Sequence, residues 1–240
     1  MARSYGQYCG LARAAEVIGE RWALLVIRDL MLGPLRFGEL MAGLPGAPKT
    51  VIATRLKELE DAGIVQRTVL ARPANGVAYT LTGRGHQLGP ALSVLGAWGS
   101  QLLPGEPRPG DALTAAPVIQ SLRITFNPAA ATGTQLRATL LGQGWIVHVQ
   151  IRDGQLTATR AAPGQPADTP ARGDLEVDLR SAFNALISGA ITADRAIEEG
   201  RITLVHGSRR TLRQFLAMFR AATGAAHQSA PGTGTAADPG

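Results

Sequence analysis

Cysteine is nearly missing: Cys9 is the only one in 240 residues, so no intrachain disulfide can staple the fold. No apolar run approaches the roughly 18–20 residues of a membrane span. The longest candidate, Trp22 to Ile27, runs straight into Arg28 and Asp29. The opening Met1 to Gly6 lacks the apolar core and small-residue cleavage site of a secretory signal, so a cytoplasmic chain is expected. Lysine is scarce as well, with Lys49 and Lys57 the only two. That bias reads as a genomic coding preference, although guanidinium groups do suit phosphate geometry. The sequence also lacks His-Glu-x-x-His, Cys-x-x-Cys, Gly-x-Ser-x-Gly and any phosphate-cradling glycine loop. The four histidines are scattered, and His148 and His206 fall in expected strands, where a histidine is an ordinary hydrogen-bonded sheet residue. The expectation is therefore no enzyme, no metal and no cofactor.

What is present is an ordinary globular composition, 45% hydrophobic, with a formal net charge of +6. Divided at residue 103, the N-terminal part carries +4 and the remainder +2. This agrees with phosphate contact without establishing it. Leu11, Ala14, Ala15 and Ile18 follow the i, i+3, i+4, i+7 spacing of one buried helix face. Trp22 to Leu32 is apolar nearly all round, which predicts a central helix ended by Gly33-Pro34. A short helical turn over Phe37 to Met41 leads through Leu44-Pro45-Gly46-Ala47 into a longer helix. Pro48 opens it at the position where proline is tolerated, Ile52, Leu56 and Leu59 face inward, and Gly63 ends it. The period then changes to two: Val65, Val69, Val77, Tyr79 and Leu81 alternate around Asn75-Gly76, which predicts a β-hairpin. Thr82 caps a further helix running to about residue 103.

Helices, a helix presented after a tight turn, then a hairpin make the order of a winged helix-turn-helix, whose last motif helix enters the major groove. With Ile52, Leu56 and Leu59 inward, Lys49, Thr50, Ala53, Thr54 and Lys57 fall on the outer face, where small polar side chains permit close approach to base edges. Arg36, Arg55, Arg67 and Arg72, with Asn75 at the hairpin turn, are the residues expected to bracket the duplex backbone. Taken singly, each of these is as well explained as a solvated surface group.

Several ordered motifs carry a family resemblance: Cys9-Gly10-Leu11-Ala12-Arg13-Ala14, Val17-Ile18-Gly19-Glu20-Arg21-Trp22, Leu32-Gly33-Pro34-Leu35-Arg36-Phe37-Gly38-Glu39-Leu40, Arg55-Leu56-Lys57-Glu58-Leu59-Glu60-Asp61-Ala62-Gly63-Ile64-Val65 and Tyr79-Thr80-Leu81-Thr82. Over residues 8–100 the chain resembles the HxlR family of bacterial regulators, relatives of the MarR type. The resemblance implies a homodimer built on the first and last helices of this domain, bound to duplex DNA with two related half-sites. In one respect the chain departs from the family: Gly46-Ala47-Pro48 lacks the hydroxyl that usually caps the recognition helix. A missing cap costs about 1 kcal/mol. Cys9 matches a position where some family members sense oxidants or electrophiles; it reads either as packing or as a thiol whose pKa is lowered by Arg13 and the helix start.

Pro104 to Gly110 holds three prolines and two glycines in seven residues, a density no packed element survives. Strands are expected near 121–126, 134–141, 144–151, 155–161, 174–179 and 201–206, with helices at 180–188, 193–199 and 208–222. The stretch from Asp174 through Phe183 and Gly189 to Gly207 resembles the C-terminal part of the sterol-carrier-protein fold, which implies a lipid-like pocket between sheet and helices. Phe126, Trp145, Phe183, Phe215 and Phe219 are the candidate lining residues, although a solid core would use them equally well. The expected fold class is α+β: a winged helix-turn-helix domain over 1–103, a linker over 104–118, a sterol-carrier-like domain over 119–222 and a disordered tail over 223–240. The expected partners are double-stranded DNA, a second copy of the chain and an apolar small-molecule effector. The alternative is a lipid carrier dimerised by a winged helix domain that does not bind DNA.

Overall fold

The computed structural model describes residues 4–70, 75–103, 108, 110–161, 173–180 and 182–219. The expected tail over 223–240 therefore lies outside the described residues. Four helices come first: α1 (Gly10–Ile18), α2 (Ala23–Leu30), α3 (Phe37–Gly43) and α4 (Lys49–Asp61). A hairpin follows, β1 (Val65–Leu70) and β2 (Gly76–Leu81), then α5 (Gly83–His86) and α6 (Gly89–Ser100). One core joins these elements, with Val26, Ile27 and Leu30 of α2 packed among Leu40, Ile52, Leu56 and Leu59. Thr82 caps the next helix by accepting from the Gly85 amide at 3.1 Å. The single helix expected from Thr82 onward is instead two, because Pro90 lacks an N–H and fits only a first turn, that of α6.

The strand expected at 121–126 is the second half of α7 (Ala115–Thr125). Leu122, Ile124 and Phe126 alternate like a strand, but Ala115, Val118, Ile119 and Leu122 make a helical stripe that is wholly buried, and burial decides. The helix thus begins inside the stretch assigned to the linker. Then come β3 (Gln135–Gly142), β4 (Trp145–Arg152), β5 (Gln155–Arg160), β6 (Leu175–Asp178), α8 (Phe183–Ile187), α9 (Ala193–Glu198), β7 (Thr203–His206) and α10 (Arg209–Ala217). The five strands lie in the order β5-β4-β3-β6-β7, antiparallel except for the β3–β6 pair. Inward residues Leu140, Val147, Val149, Ile151 and Val177 share one core with α7, α8 and α10. The opposite face is polar, carrying Thr139, His148, Gln150 and Thr157, with Thr139 Oγ1 and His148 Nδ1 3.3 Å apart. Among the described residues no helix is long and apolar enough to cross a membrane.

The two bodies meet along α2, α6 and α7. Leu32, just past α2, packs on the second core, and the Gln120 side-chain amide of α7 donates to the Leu92 carbonyl of α6 at 3.4 Å. Asp29 of α2 is completely buried. Its Oδ1 accepts from Arg28 Nε at 2.8 Å, whereas Oδ2 has no partner and faces Gly43, where any side chain would collide with it. Burial pushes the Asp29 carboxyl above the usual carboxylate range, against the pull of Arg28 and, from β5, of Arg160. A carboxyl raised in the folded state holds its proton more tightly there than in the unfolded chain, so the stability it contributes is present at low pH and lost as pH rises through the raised value. Thermal denaturation across a pH series should show this loss above the ordinary carboxylate range in the wild-type chain, and Asp29→Asn should remove it. Parallel pH profiles for the two proteins would refute this account of Asp29.

Candidate nucleic-acid interface

The turn between α3 and α4 is anchored from inside. Leu44 and Ala47 are buried, and Gly46, at φ 78°, takes the left-handed conformation that lets the chain reverse between them. Pro48 is the N-cap of α4 and provides no side-chain cap, and the first bond within the helix runs from the Ile52 amide to the Pro48 carbonyl at 3.1 Å. The backbone amides ahead of Ile52 are thus left for an external acceptor, the arrangement that favours a phosphate.

Burial of Ile52, Leu56 and Leu59 turns Lys49, Thr50, Ala53, Thr54 and Lys57 outward, and all five are exposed. Thr54 spends its hydroxyl proton on the Thr50 carbonyl at 3.0 Å, which leaves its oxygen as an acceptor and its methyl group on the surface. Lys57 pairs with Asp61 at 3.1 Å, both side chains in solvent.

The flanking arginines divide. Arg36, the N-cap of α3, donates from Nη2 to the Asn75 carbonyl at 2.6 Å and so clasps the turn of the hairpin. Its backbone amide meanwhile donates to the Glu39 carboxylate at 2.8 Å. Beside Arg36, Leu35 and Tyr79 exchange backbone hydrogen bonds at 2.9 and 2.7 Å, adding one residue of a third strand to the wing. Arg55 is drawn away from the outer face: its side chain is only 16% exposed, bonded to Glu58 and 3.6 Å from Glu20. It ties α4 to the turn before α2 instead of standing beside the reading face. Arg67, by contrast, is exposed on β1, above the Tyr79 ring and 3.5 Å from Glu60. Arg72 lies outside the described residues. Asn75, exposed at φ 32°, leads into β2, whose first residue Gly76, at φ 121°, pairs with Leu70, so Asn75-Gly76 is not the two-residue turn the dipeptide suggests.

Two uncovered apolar surfaces are not evident from the sequence. Val69 and Val77 pair across the wing and are both exposed, although their alternation suggested burial. Val94, Leu95 and Trp98 of α6 and Leu102 just beyond it stand uncovered, as do Tyr8 and, near the start of α1, Leu11, which its spacing had placed on a buried face. Cys9, the N-cap of α1, is exposed, and its thiol is held below the ordinary value by the backbone amides of Ala12 and Leu11. Arg13, expected to do this, bonds Glu16 at 2.8 Å instead.

The aromatic candidates of the second body sit in its core. Phe126, Phe215 and Phe219 form a chain of rings with centroids 5.6 and 4.8 Å apart, and Trp145 and Phe183 are buried in the same cluster. Phe219 borders a cavity of about 430 Å³ between α8, α9 and α10.

The HxlR-like helix-turn-helix family model matches residues 17–107. The HTH-type transcriptional regulator YodB of Bacillus subtilis is 40% identical over 98 residues, which cover 41% of this chain and 84% of that protein. The chain belongs to the HxlR-like helix-turn-helix family. An uncharacterized HTH-type transcriptional regulator of Synechocystis sp. is 34% identical over 101 residues, 42% of this chain and 75% of that one. Among solved structures, diamide-treated YodB from B. subtilis is 37% identical and covers 41% of this chain and 98% of its own, with a TM-score of 0.34. The HxlR-like match ends at residue 107, so α7 to α10 and their sheet stand on their own geometry.

The two kinds of α4 cation should separate in urea denaturation. Arg55→Ala should lose on the order of 1 kcal/mol, since it removes a half-buried tie, whereas Lys57→Ala should stay within about 0.5 kcal/mol. The reverse ranking would put Arg55 back on the surface.

Proposed function

We propose that the chain is a transcriptional regulator that binds duplex DNA as a homodimer, reading bases with α4 and gripping the backbone with the hairpin. The observation that carries this is α4 itself: an uncapped N-terminus and five exposed small or basic residues, beside a wing held in place by Arg36. Such a helix fits the major groove, with Lys49 and the first amides toward phosphate and Thr50, Ala53 and Thr54 toward base edges.

Dimerisation is supported by α6. Its sequence is almost wholly apolar, yet it buries none of its residues in the single chain. Trp98, Leu102 and Val94 are each at least 60% exposed, and an apolar patch of this kind calls for a partner surface. Control by an apolar ligand in the second body is the finer part of the reading. It is supported by helices gathered on one face of the sheet, the layering a sterol-carrier-like pocket needs, and by the opening beside Phe219. A sensing role for Cys9 is supported by its exposure and by the two amides that favour its thiolate.

The deciding experiment is a fluorescence-anisotropy titration of duplex from the chain's own promoter region across a salt series. Changing Lys49 and Thr54 together to Ala should weaken binding by at least tenfold and make the slope of log K against log salt shallower by about 1. A pure lipid carrier would be indifferent to both changes. In sedimentation, Trp98→Asp should convert a dimer to a monomer; a dimer that persists would move the interface off α6. Alkylating Cys9 should shift duplex affinity if the thiol is a sensor, and unchanged affinity removes that role.

A further inference from the structure

Between α6 and α7 lies a cleft of about 740 Å³ that the two bodies form together. Sites for small molecules run about 300–1,000 Å³ and favour domain junctions. The cleft wall on α6 is distinct from the uncovered face that carries Trp98. Gly96, Gly99, Ser100 and Leu103, spaced i, i+3, i+4, i+7, line the cleft instead. Space remains beside Gly99, where an added Cβ would meet nothing within 4 Å, whereas at Gly96 the Gln120 amide already closes on the helix. Leu25 and Ile124, on opposite sides, stay 39% and 40% exposed, so the walls are apolar and uncovered.

Among the described residues the one cation at the cleft is Arg28, which reaches it from α2, and the amides of Gln120 and Asn184 border it from α7 and α8. The hydroxyls of Ser100 and Thr125 already donate to the Ala97 and Ser121 carbonyls and Gln120 Nε2 to the Leu92 carbonyl, so Arg28 carries the recognition of an acid. A guanidinium carries five N–H groups. Asp29 Oδ1 takes Arg28 Nε and lies 2.8 Å from Nη2, so Arg28 retains donors for a second acceptor. The one carboxylate on the lining, Asp111, is exposed and already accepts from the Arg108 amide at 2.9 Å. Apolar walls with a cation and two amides suit a molecule that is mostly hydrocarbon and carries one acidic head.

We propose that this cleft binds an apolar organic acid, the hydrocarbon part between α6 and α7 and the acid group on Arg28. The inference deepens the ligand-control reading and rests on it, but it seats the ligand at the junction and not among the aromatic rings of the second core. A molecule there touches the helix that carries the uncovered apolar face and the first helix of the second body at once. Occupancy is thereby linked to how the two bodies sit, and only a ligand that prefers one arrangement shifts it.

The test uses the full chain without DNA and two dyes that share a ring system: anilinonaphthalene sulfonate, which is acidic, and phenylnaphthylamine, which is not. Fluorescence titration should give saturable binding of the sulfonate and at least tenfold weaker binding of the neutral amine. Gly99→Leu should weaken the sulfonate at least tenfold while its urea midpoint stays at or above wild type, because leucine is the better helix former. Ser100→Leu, on the same wall, should do likewise and guards against a Gly99 variant that misfolds. Ser188→Leu, beside the Phe219 cavity, should leave affinity within twofold. Loss of binding in Ser188→Leu with Gly99→Leu unaffected would seat the dye elsewhere and overturn the proposal, as would equal affinity for the neutral dye. Because no duplex is present, a failed promoter titration and a failed dye titration are separate results.

Discussion

Packing of Ile52, Leu56 and Leu59 against α2 is the constraint from which the rest of the N-terminal body follows. Each of the three is at most 1% exposed, and together they form a single stripe on a helix whose other residues, Val51 and Ala53 apart, are polar. Full burial of a leucine or isoleucine is worth roughly 1.5–3 kcal/mol, so rotating α4 by even one position would forfeit several kcal/mol at once. That energy decides which side chains meet the solvent. Lys49, Thr50, Ala53, Thr54 and Lys57 are presented because their neighbours cannot be, and the turn through Leu44 and Ala47 fixes the direction in which they point.

The same logic explains what could be read from the residues alone. The α4 stripe and the two alternating strands of the hairpin are local patterns, and both stand where the periodicity put them. The position of Arg55 depends on Glu20, a residue of another element that no spacing rule connects to it. The Arg36 clasp on Asn75 is equally non-local, although the glycine after Asn75 is a weak signal that backbone approaches something closely there. At 121–126 two periods fitted the same letters, and only the presence of a sheet to pack against chose between them. Asp29 carried no signal at all: within an apolar helix a lone carboxylate reads as a surface residue, and its burial became visible only when Gly43 and the second body were in place.

Asp29 also shows how the two bodies are joined. A buried carboxylate with one oxygen unsatisfied weakens the fold it sits in, and a hydrophobic residue of similar size would pack there at lower cost. It persists at the seam where α2, the end of α3 and the Arg160 strand converge. The contacts that cross the junction include the Gln120 amide on the Leu92 carbonyl and the packing of Leu32 on the second core, and Asp29, bonded only to its neighbour Arg28, sits buried beside them.

The absent hydroxyl at the start of α4 has one more consequence. A helix that carries its own cap is complete before it meets a partner, and a bound phosphate then competes with that cap for the same amides. Here proline occupies the capping position and nothing competes. In the proposed reading of DNA by α4, a backbone phosphate would finish that first turn, so part of the free energy that orders it would come from the double helix itself, and local order and nucleic-acid affinity would become two faces of one equilibrium.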